Sequence, residues 1–325
     1  MIQAARQQRP GAEVTLLIAD SPRETAAAPA SGLPLTERLL GRRRPGRPPA
    51  EPDPPFAGWQ RYLEVELIGE GGMGRVFRAY DPALDRRVAL KFPRHGEPGH
   101  GGRTLYEARL QARVEGEHVP KVYEVGELAG HAYFAMQFVD GPSLKEARSR
   151  LPYDERLTVA LRLCDALEEV HARGLVHRDV NPRNILLAPR PDGSWWPYLV
   201  DFGIAHELPH PSRPVDPVVV GTAPYMAPEQ ALGKIFQIDR RTDVYSLGAT
   251  LYELFSGQRP FAGESSEKLI LRTLQEEPVP LTAIAPNLPA ALGEVVGRCL
   301  EKDPADRFAS ARAAAGALAA CRRPA

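Results

Sequence analysis

The stretch His177-Arg178-Asp179-Val180-Asn181-Pro182-Arg183-Asn184 stands directly ahead of the apolar run Ile185-Leu186-Leu187. That run reads as the start of a buried strand, so the chain has to hold a highly polar loop at a strand's entrance. Asp179 can take a proton from an attacking hydroxyl there, and Asn184 can offer an amide oxygen to a metal. Taken alone, the stretch is equally a surface loop rich in turn formers, so the remainder of the chain has to decide.

The pattern changes at Tyr62. Residues 1–58 are dominated by Pro, Ala and Arg, with the basic, proline-rich run Gly41-Arg42-Arg43-Arg44-Pro45-Gly46-Arg47-Pro48-Pro49. Such a segment buries little apolar surface and is expected to be a disordered or extended N-terminal extension, a solvated linker rather than a nucleic-acid or lipid contact. Residues 14–19 read as a lone strand and 35–40 as a short helix, which together do not make a domain. From Tyr62 the run Leu63-Glu64-Val65-Glu66-Leu67-Ile68 alternates as a strand and enters Gly69-Glu70-Gly71-Gly72-Met73-Gly74-Arg75-Val76-Phe77, a G-x-G-x-x-G-x-V pattern. Glycines let the backbone approach phosphate oxygens and offer them N–H groups. A dinucleotide-binding fold shares these glycines but opens a helix with them, whereas here β-branched and aromatic residues continue as a second strand.

Val88-Ala89-Leu90-Lys91 reads as a third strand with a lysine in an apolar run. Unless it snorkels at an edge, that lysine needs an anionic partner. A glycine-rich loop over 96–102 leads into an amphipathic helix over 104–114 that contains Glu107. Glu115 and Glu117 compete for the partner role, and the spacing with the Tyr-Glu-Ala-Arg context favours Glu107. Strands over 121–127 and 131–138 complete a small β-rich unit. After 136–141 the chain turns helical. Residues 154–173 carry Leu157, Ala160, Leu161, Cys164, Leu167 and Val170 at helical spacing. The polar loop follows, then a hairpin turning at Pro191-Asp192-Gly193, whose Trp195 and Trp196 read as packing or exposed decoration. The returning strand delivers Asp201-Phe202-Gly203. Helices are expected over 244–255, 265–275, 288–300 and 309–320.

Asp201-Phe202-Gly203 fits D-F-G, Ala227-Pro228-Glu229 fits A-P-E, and His177–Asn184 fits H-R-D-L-x-x-x-N. With the glycine loop and the V-A-I-K-like strand, all stand in the order found in protein kinases. The chain resembles the eukaryotic-like protein kinase family, nearest its bacterial serine/threonine branch, over about residues 62–320. The resemblance implies an α+β, two-lobed kinase fold: a domain over 59–321 with a small β-rich N-lobe and one main helix (about 59–138), a larger mainly helical C-lobe (about 142–321), and an ATP cleft between them. It implies in-line phosphoryl transfer from ATP with Mg²⁺, or Mn²⁺, to a protein hydroxyl. Asp179 would accept or orient the hydroxyl proton, and Asp201 and Asn184 would hold the metal. Lys91, paired with Glu107, would position the phosphates. Ile68, Gly69, Glu70, Gly71, Gly72, Met73 and Gly74 would cover the nucleotide. Met136 would be the gatekeeper, the backbone of Gln137 and Val139 would bond adenine, and Val76, Ala89 and Leu186 would sandwich the purine. Gly221-Thr222-Ala223-Pro224-Tyr225-Met226 looks like a serine/threonine-type substrate loop, Asp243 like the aspartate that braces the catalytic loop, and Arg307 like the partner of Glu229.

Three positions depart from the family pattern. Asn181 stands where a lysine usually faces the γ-phosphate; losing such a stabiliser can cost about 10²–10³ in rate. Arg183 is the candidate to reach the same region, as an arginine does in tyrosine kinases. Residues 204–220 hold one hydroxyl, Ser212, so Arg178 lacks the usual phosphothreonine. Glu207 or Asp216 supplies standing charge, or Ser212 is the phosphosite. Gln111 sits where an apolar residue is usual. Asn181 and the poor loop also feed an alternative reading, a catalytically weak pseudokinase acting as a nucleotide-binding scaffold; a small-molecule phosphotransferase is disfavoured by the A-P-E element and Arg307.

Acids and bases balance at 41 each, so no nucleic-acid partner is expected. Protein substrates are, with a homodimer for autophosphorylation. The three cysteines match no metal or disulfide framework, and no stretch approaches the roughly 18 apolar residues of a membrane span. A cytoplasmic signalling enzyme is the expectation.

Overall fold

The strands between residues 63 and 137 pair into one antiparallel sheet. The computed structural model describes residue 56 and residues 58–71, 74–93, 101–114, 116–202, 206–207 and 222–322, with the backbone alone at 101–105, 107, 206 and 207. The expected strand at 14–19 and helix at 35–40 lie outside these residues. Strands β1 (Leu63–Gly71), β2 (Gly74–Asp81), β3 (Arg86–Pro93), β4 (Val122–Leu128) and β5 (His131–Gln137) run in the order β1-β2-β3-β5-β4. Helix α1 (Gly101–Ala112) falls between β3 and β4 in the chain. Tyr62, Phe77, Phe92 and Tyr133 form an aromatic cluster with Trp59 and Phe56 packed against it. Phe56 lies ahead of the expected domain start yet meets Phe77 edge-on at 4.8 Å. Glu124 anchors this cluster, accepting from Tyr133 Oη at 2.8 Å and Arg61 at 2.9 Å. A second cluster, Ala89, Ala108, Phe134 and Met136, joins α1 to the sheet.

The helical lobe follows the sequence periodicity. Helix α2 (Leu144–Ala147) is nucleated by a reciprocal Ser143–Glu146 capping box. Helix α3 (Tyr153–His171) buries Leu157, Ala160, Cys164, Leu167 and Val170. Strand β6 (Leu175–Val176) pairs with β9 (His206–Glu207), and β7 (Ile185–Pro189) with β8 (Trp195–Leu199). Helix α4 (Pro228–Ala231) precedes α5 (Arg240–Ser256), which is buried on every side from Thr242 to Phe255 and is therefore the post around which the lobe packs. Helices α6 (Ser266–Gln275), α7 (Leu281–Ile284), α8 (Ala290–Cys299) and α9 (Ala311–Ala319) surround it. The lobe's core extends to Leu110 and Val114 at the end of α1, so one apolar cluster spans both lobes. Glu229 and Arg307, both fully buried, meet through two bonds of 2.8 and 2.9 Å. Among the described residues no helix is long and apolar enough to cross a membrane.

Candidate active site

The polar loop hangs from α5. The Asp243 carboxylate, wholly buried, accepts the backbone N–H of His177 and of Arg178, each at 2.8 Å, and His171 Nε2 at 2.8 Å. Burial pushes its pKa up, but the His171 bond and the nearby His177 more than offset this, so it stays below its ordinary value. Arg178 adopts φ 68°, the left-handed region that a non-glycine residue enters only at a cost. Its N–H on Asp243 and its carbonyl, which accepts from Gln230 Nε2 at 3.0 Å, hold it there. His177 is fully buried and its pKa is lowered by that burial. A neutral ring satisfies both contacts: Nε2–H donates to the Val200 carbonyl at 3.1 Å, and Nδ1 accepts the Asp179 N–H at 3.3 Å. Its edge packs on Phe202, which is itself fully buried.

Asp179 emerges from this scaffold with both carboxylate oxygens directed. Oδ1 accepts the Thr222 N–H at 2.8 Å, and Oδ2 accepts Asn184 Nδ2 at 2.8 Å. Only 4% of the residue is exposed. An ionised acid held in this way can take a hydroxyl proton in one fixed direction. Asn184 donates a second bond to the Asp179 carbonyl, so its amide nitrogen is engaged and Oδ1 is the atom left to bind a cation. Asp201, again at φ 68°, brings Oδ1 to 3.0 Å from Lys91 Nζ. Lys91 is 2% exposed, which explains why a lysine is tolerated in an apolar strand: it pairs. The donor set of one carboxylate and one amide oxygen suits a hard cation that completes its shell with phosphate and water, as Mg²⁺ does. Among the described residues no group of three or more His, Cys, Asp or Glu forms a dedicated metal cage.

The residues expected to face a nucleotide lie on β1, β2, β3, β5 and β7 and on the segment that leads from β5 into the helical lobe. Ala89 and Met136 are cross-strand partners in β3 and β5, with Val76 packed beside them. Gln137 donates its N–H to the Lys121 carbonyl at 2.8 Å, while nothing among the described residues bonds the Val139 N–H or carbonyl. Gly141 has to be glycine, because a Cβ there would lie 1.9 Å from the Leu187 carbonyl oxygen. Gly74 is equally constrained, at φ 139° with the Phe92 carbonyl 2.3 Å from any Cβ. Ile68 is exposed on β1, followed by Gly69, Glu70 and Gly71. Gly72, Met73, Glu115 and the side chain of Glu107 lie outside the described residues. Glu117, a competitor of Glu107, is exposed in a loop whose backbone is pinned to Glu169 at 3.0 Å and to Trp196 at 3.0 Å.

Asn181 is not a truncated lysine reaching outward. It is 1% exposed, donates to the Asp179 carbonyl at 3.1 Å and to Thr222 Oγ1 at 3.4 Å, and accepts the Arg183 N–H at 2.9 Å. Arg183 is exposed, and its charge acts on Lys145 and Glu146 of α2. Buried Gln111 is satisfied by the Pro120 carbonyl at 2.9 Å and contacts Met136 Sδ at 3.6 Å. The Arg178 guanidinium is buried with Nε unpartnered among the described residues, and this burial lowers its pKa. Its expected partners Ser212 and Asp216, and the Glu207 side chain, lie outside the described residues. One contributor escaped sequence reasoning, Gln230, which follows Glu229 directly; Trp196 packs as expected, its ring stacked on His118 at 4.5 Å and under Arg190 at 3.7 Å.

The protein kinase domain family matches residues 62–317. The serine/threonine-protein kinase PknA of Mycobacterium tuberculosis is 38% identical over 273 residues, 81% of this chain and 61% of PknA. The kinase pkn3 of Myxococcus xanthus is 37% identical over 266 residues, 78% of this chain and 48% of pkn3. A probable serine/threonine-protein kinase of Clostridium perfringens is 34% identical over 264 residues, 79% of this chain and 38% of its own length. The chain thus spans less than two thirds of these curated relatives. Among solved structures, the Mycobacterium tuberculosis PknI kinase domain superposes with a TM-score of 0.60 at 30% identity, covering 80% of this chain and 95% of that domain. The chain belongs to the protein kinase family, on its eukaryotic-like bacterial serine/threonine branch.

Proposed function

We propose that the chain is an active protein kinase that transfers the γ-phosphoryl group of ATP to serine or threonine hydroxyls of proteins, itself included. The observation that carries this is the Asp179 carboxylate, aimed by Thr222 N–H and Asn184 Nδ2, together with the Lys91–Asp201 pair. Asp179 accepts the proton as the substrate oxygen forms its bond to the γ-phosphorus and the bond to the ADP oxygen breaks. Lys91 offers its charge to the phosphates, and Asn184 Oδ1 and Asp201 would hold Mg²⁺ or Mn²⁺. Such an ion would supply positive charge against that developing on the phosphoryl oxygens. The Val139 N–H and carbonyl and the Gln137 carbonyl suit the edge of adenine, between Ala89, Val76 and Leu186. Asn181, by tying Asp179 to Thr222, supports a hydroxyl-acceptor loop of the serine/threonine type. Autophosphorylation through a transient homodimer and a cytoplasmic setting belong to the same reading.

The test is incorporation of labelled γ-phosphate from Mg·ATP into the protein itself and into acidic and basic generic substrate proteins, with Asp179→Asn alongside. Label on serine or threonine that vanishes in the variant is expected. Absence of label from the wild-type protein, with thermal stabilisation by ATP, would favour a scaffold.

A further inference from the structure

The chain as a whole is neutral, 41 acids to 41 bases, so any strong local surplus of charge is a matter of where the fold brings residues together. One such surplus borders the catalytic aspartate. Helix α2 carries Lys145, is capped at its C-terminus by Arg148, and is fastened to the catalytic loop by the Lys145 N–H, which donates to the Pro182 carbonyl at 2.9 Å. Arg183 follows Pro182 directly and is exposed. Arg259, from the turn after α5, approaches the same place: its Nε lies 3.8 Å from Glu253 Oε2, while Arg148 Nε lies 3.6 Å from Glu253 Oε1.

The anions at hand do not balance these four cations. Glu253 is buried, divides its charge between Arg148 and Arg259, and also accepts the Tyr225 hydroxyl. Glu146 caps its own helix, accepting the Ser143 N–H and Oγ, both at 2.8 Å. Among the described residues the Lys145 ammonium and the Arg183 guanidinium have no carboxylate partner. Burial, followed by repulsion from Arg183 and Arg259, lowers the Lys145 pKa. The cluster is continuous with the reaction centre, because Tyr225 lies in the loop whose Thr222 N–H holds Asp179.

We propose that Lys145, Arg148, Arg183 and Arg259 form a substrate subsite for acidic side chains flanking the phosphoacceptor hydroxyl, making the chain selective for serine or threonine in an acidic setting. The shared chemistry is an anionic oxygen group, a carboxylate or a phosphate on a previously modified residue. This rests on the kinase reading above. Arg183 is then a specificity residue rather than a stand-in for the missing lysine at Asn181. Exposed charge pairs contribute modestly, about 2–5-fold each, so a cluster of this size is expected to give about tenfold selectivity that weakens with salt.

The experiment is a serine peptide library in which Asp, phosphoserine or Lys occupies each flanking position in turn, read as kcat/KM at low and high salt. Wild type is compared with Lys145→Ala, Arg183→Ala and the charge-reversed pair Lys145→Glu/Arg183→Glu. Acidic peptides are expected to exceed lysine peptides by about tenfold, chiefly through KM. That preference should shrink in each single variant and invert in the pair, and the Asp and phosphoserine arms distinguish carboxylate from phosphate. Equal rates on acidic and basic peptides, or an acid preference that survives charge reversal, would overturn the proposal. So would a uniform kcat loss in Arg183→Ala with selectivity intact, which would return Arg183 to the γ-phosphate. Anisotropy of a labelled acidic peptide with Asp179→Asn tests the subsite without catalysis: failure to bind more tightly than its lysine counterpart refutes the subsite alone. Binding without any transfer by wild type refutes the kinase reading instead.

Discussion

Replacing Asp243 with asparagine separates the brace from the chemistry it supports. The carboxylate accepts three donors, two of them peptide N–H groups at 2.8 Å, from a position with no solvent exposure. The amide keeps one acceptor oxygen, and its NH₂ must face at least one of the two peptide N–H groups. One charge-assisted bond is lost and one buried donor is orphaned, together about 3 kcal/mol. For a domain of this size that corresponds to a Tm lower by about 6–12 °C. The strained φ at Arg178 is then held chiefly by Gln230, so the loop relaxes and Asp179 moves. A misplacement of about 1 Å can cost up to about 10² in rate. The assay is phosphoryl transfer at saturating ATP, at a temperature where circular dichroism shows the variant folded. A fall in kcat of about 10–100-fold with little change in KM for ATP is expected. A lowered Tm with unchanged kcat would refute the bracing argument, and an unchanged Tm would refute the hydrogen-bond assignment beneath it.

Arg307→Met should destabilise by about 3–5 kcal/mol because it strands the buried Glu229 charge, whereas Glu229→Leu combined with Arg307→Met should recover most of that loss; denaturant melts of the three variants decide it. Gly141→Ala should raise KM for ATP and lower stability by about 1–3 kcal/mol, since its Cβ would drive the 136–141 segment off the Leu187 carbonyl; unchanged nucleotide binding would contradict this. His177, whose folded pKa is depressed, is neutral in the native state, so the unfolded chain binds the extra proton below about pH 6.5 and stability falls as pH drops through that value. NMR of the ring should show the neutral Nε2–H tautomer persisting below pH 6.5, and an ordinary titration there would refute it.

The sequence alone determined a good deal. Periodicity located the sheet, the helical lobe and the hairpin because side chains that alternate or recur at helical spacing must share a face. The motifs named Asp179, Asn184, Asp201 and Lys91 as candidates because their residue types stand in recognisable short patterns, whereas the brace at Asp243 and the pairing of Glu229 with Arg307 were expected only through the family resemblance. What it did not determine were relations between distant segments. That Asn181 serves Thr222 rather than a phosphate depends on where residue 222 lands, far along the chain. Gln230 holding the Arg178 carbonyl, and Trp196 lying between His118 and Arg190, are likewise products of packing. Most of all, a neutral composition conceals the cluster of Lys145, Arg148, Arg183 and Arg259. Net charge is a sum over the chain, while electrostatic recognition depends on distance, and only the tertiary fold sets distance.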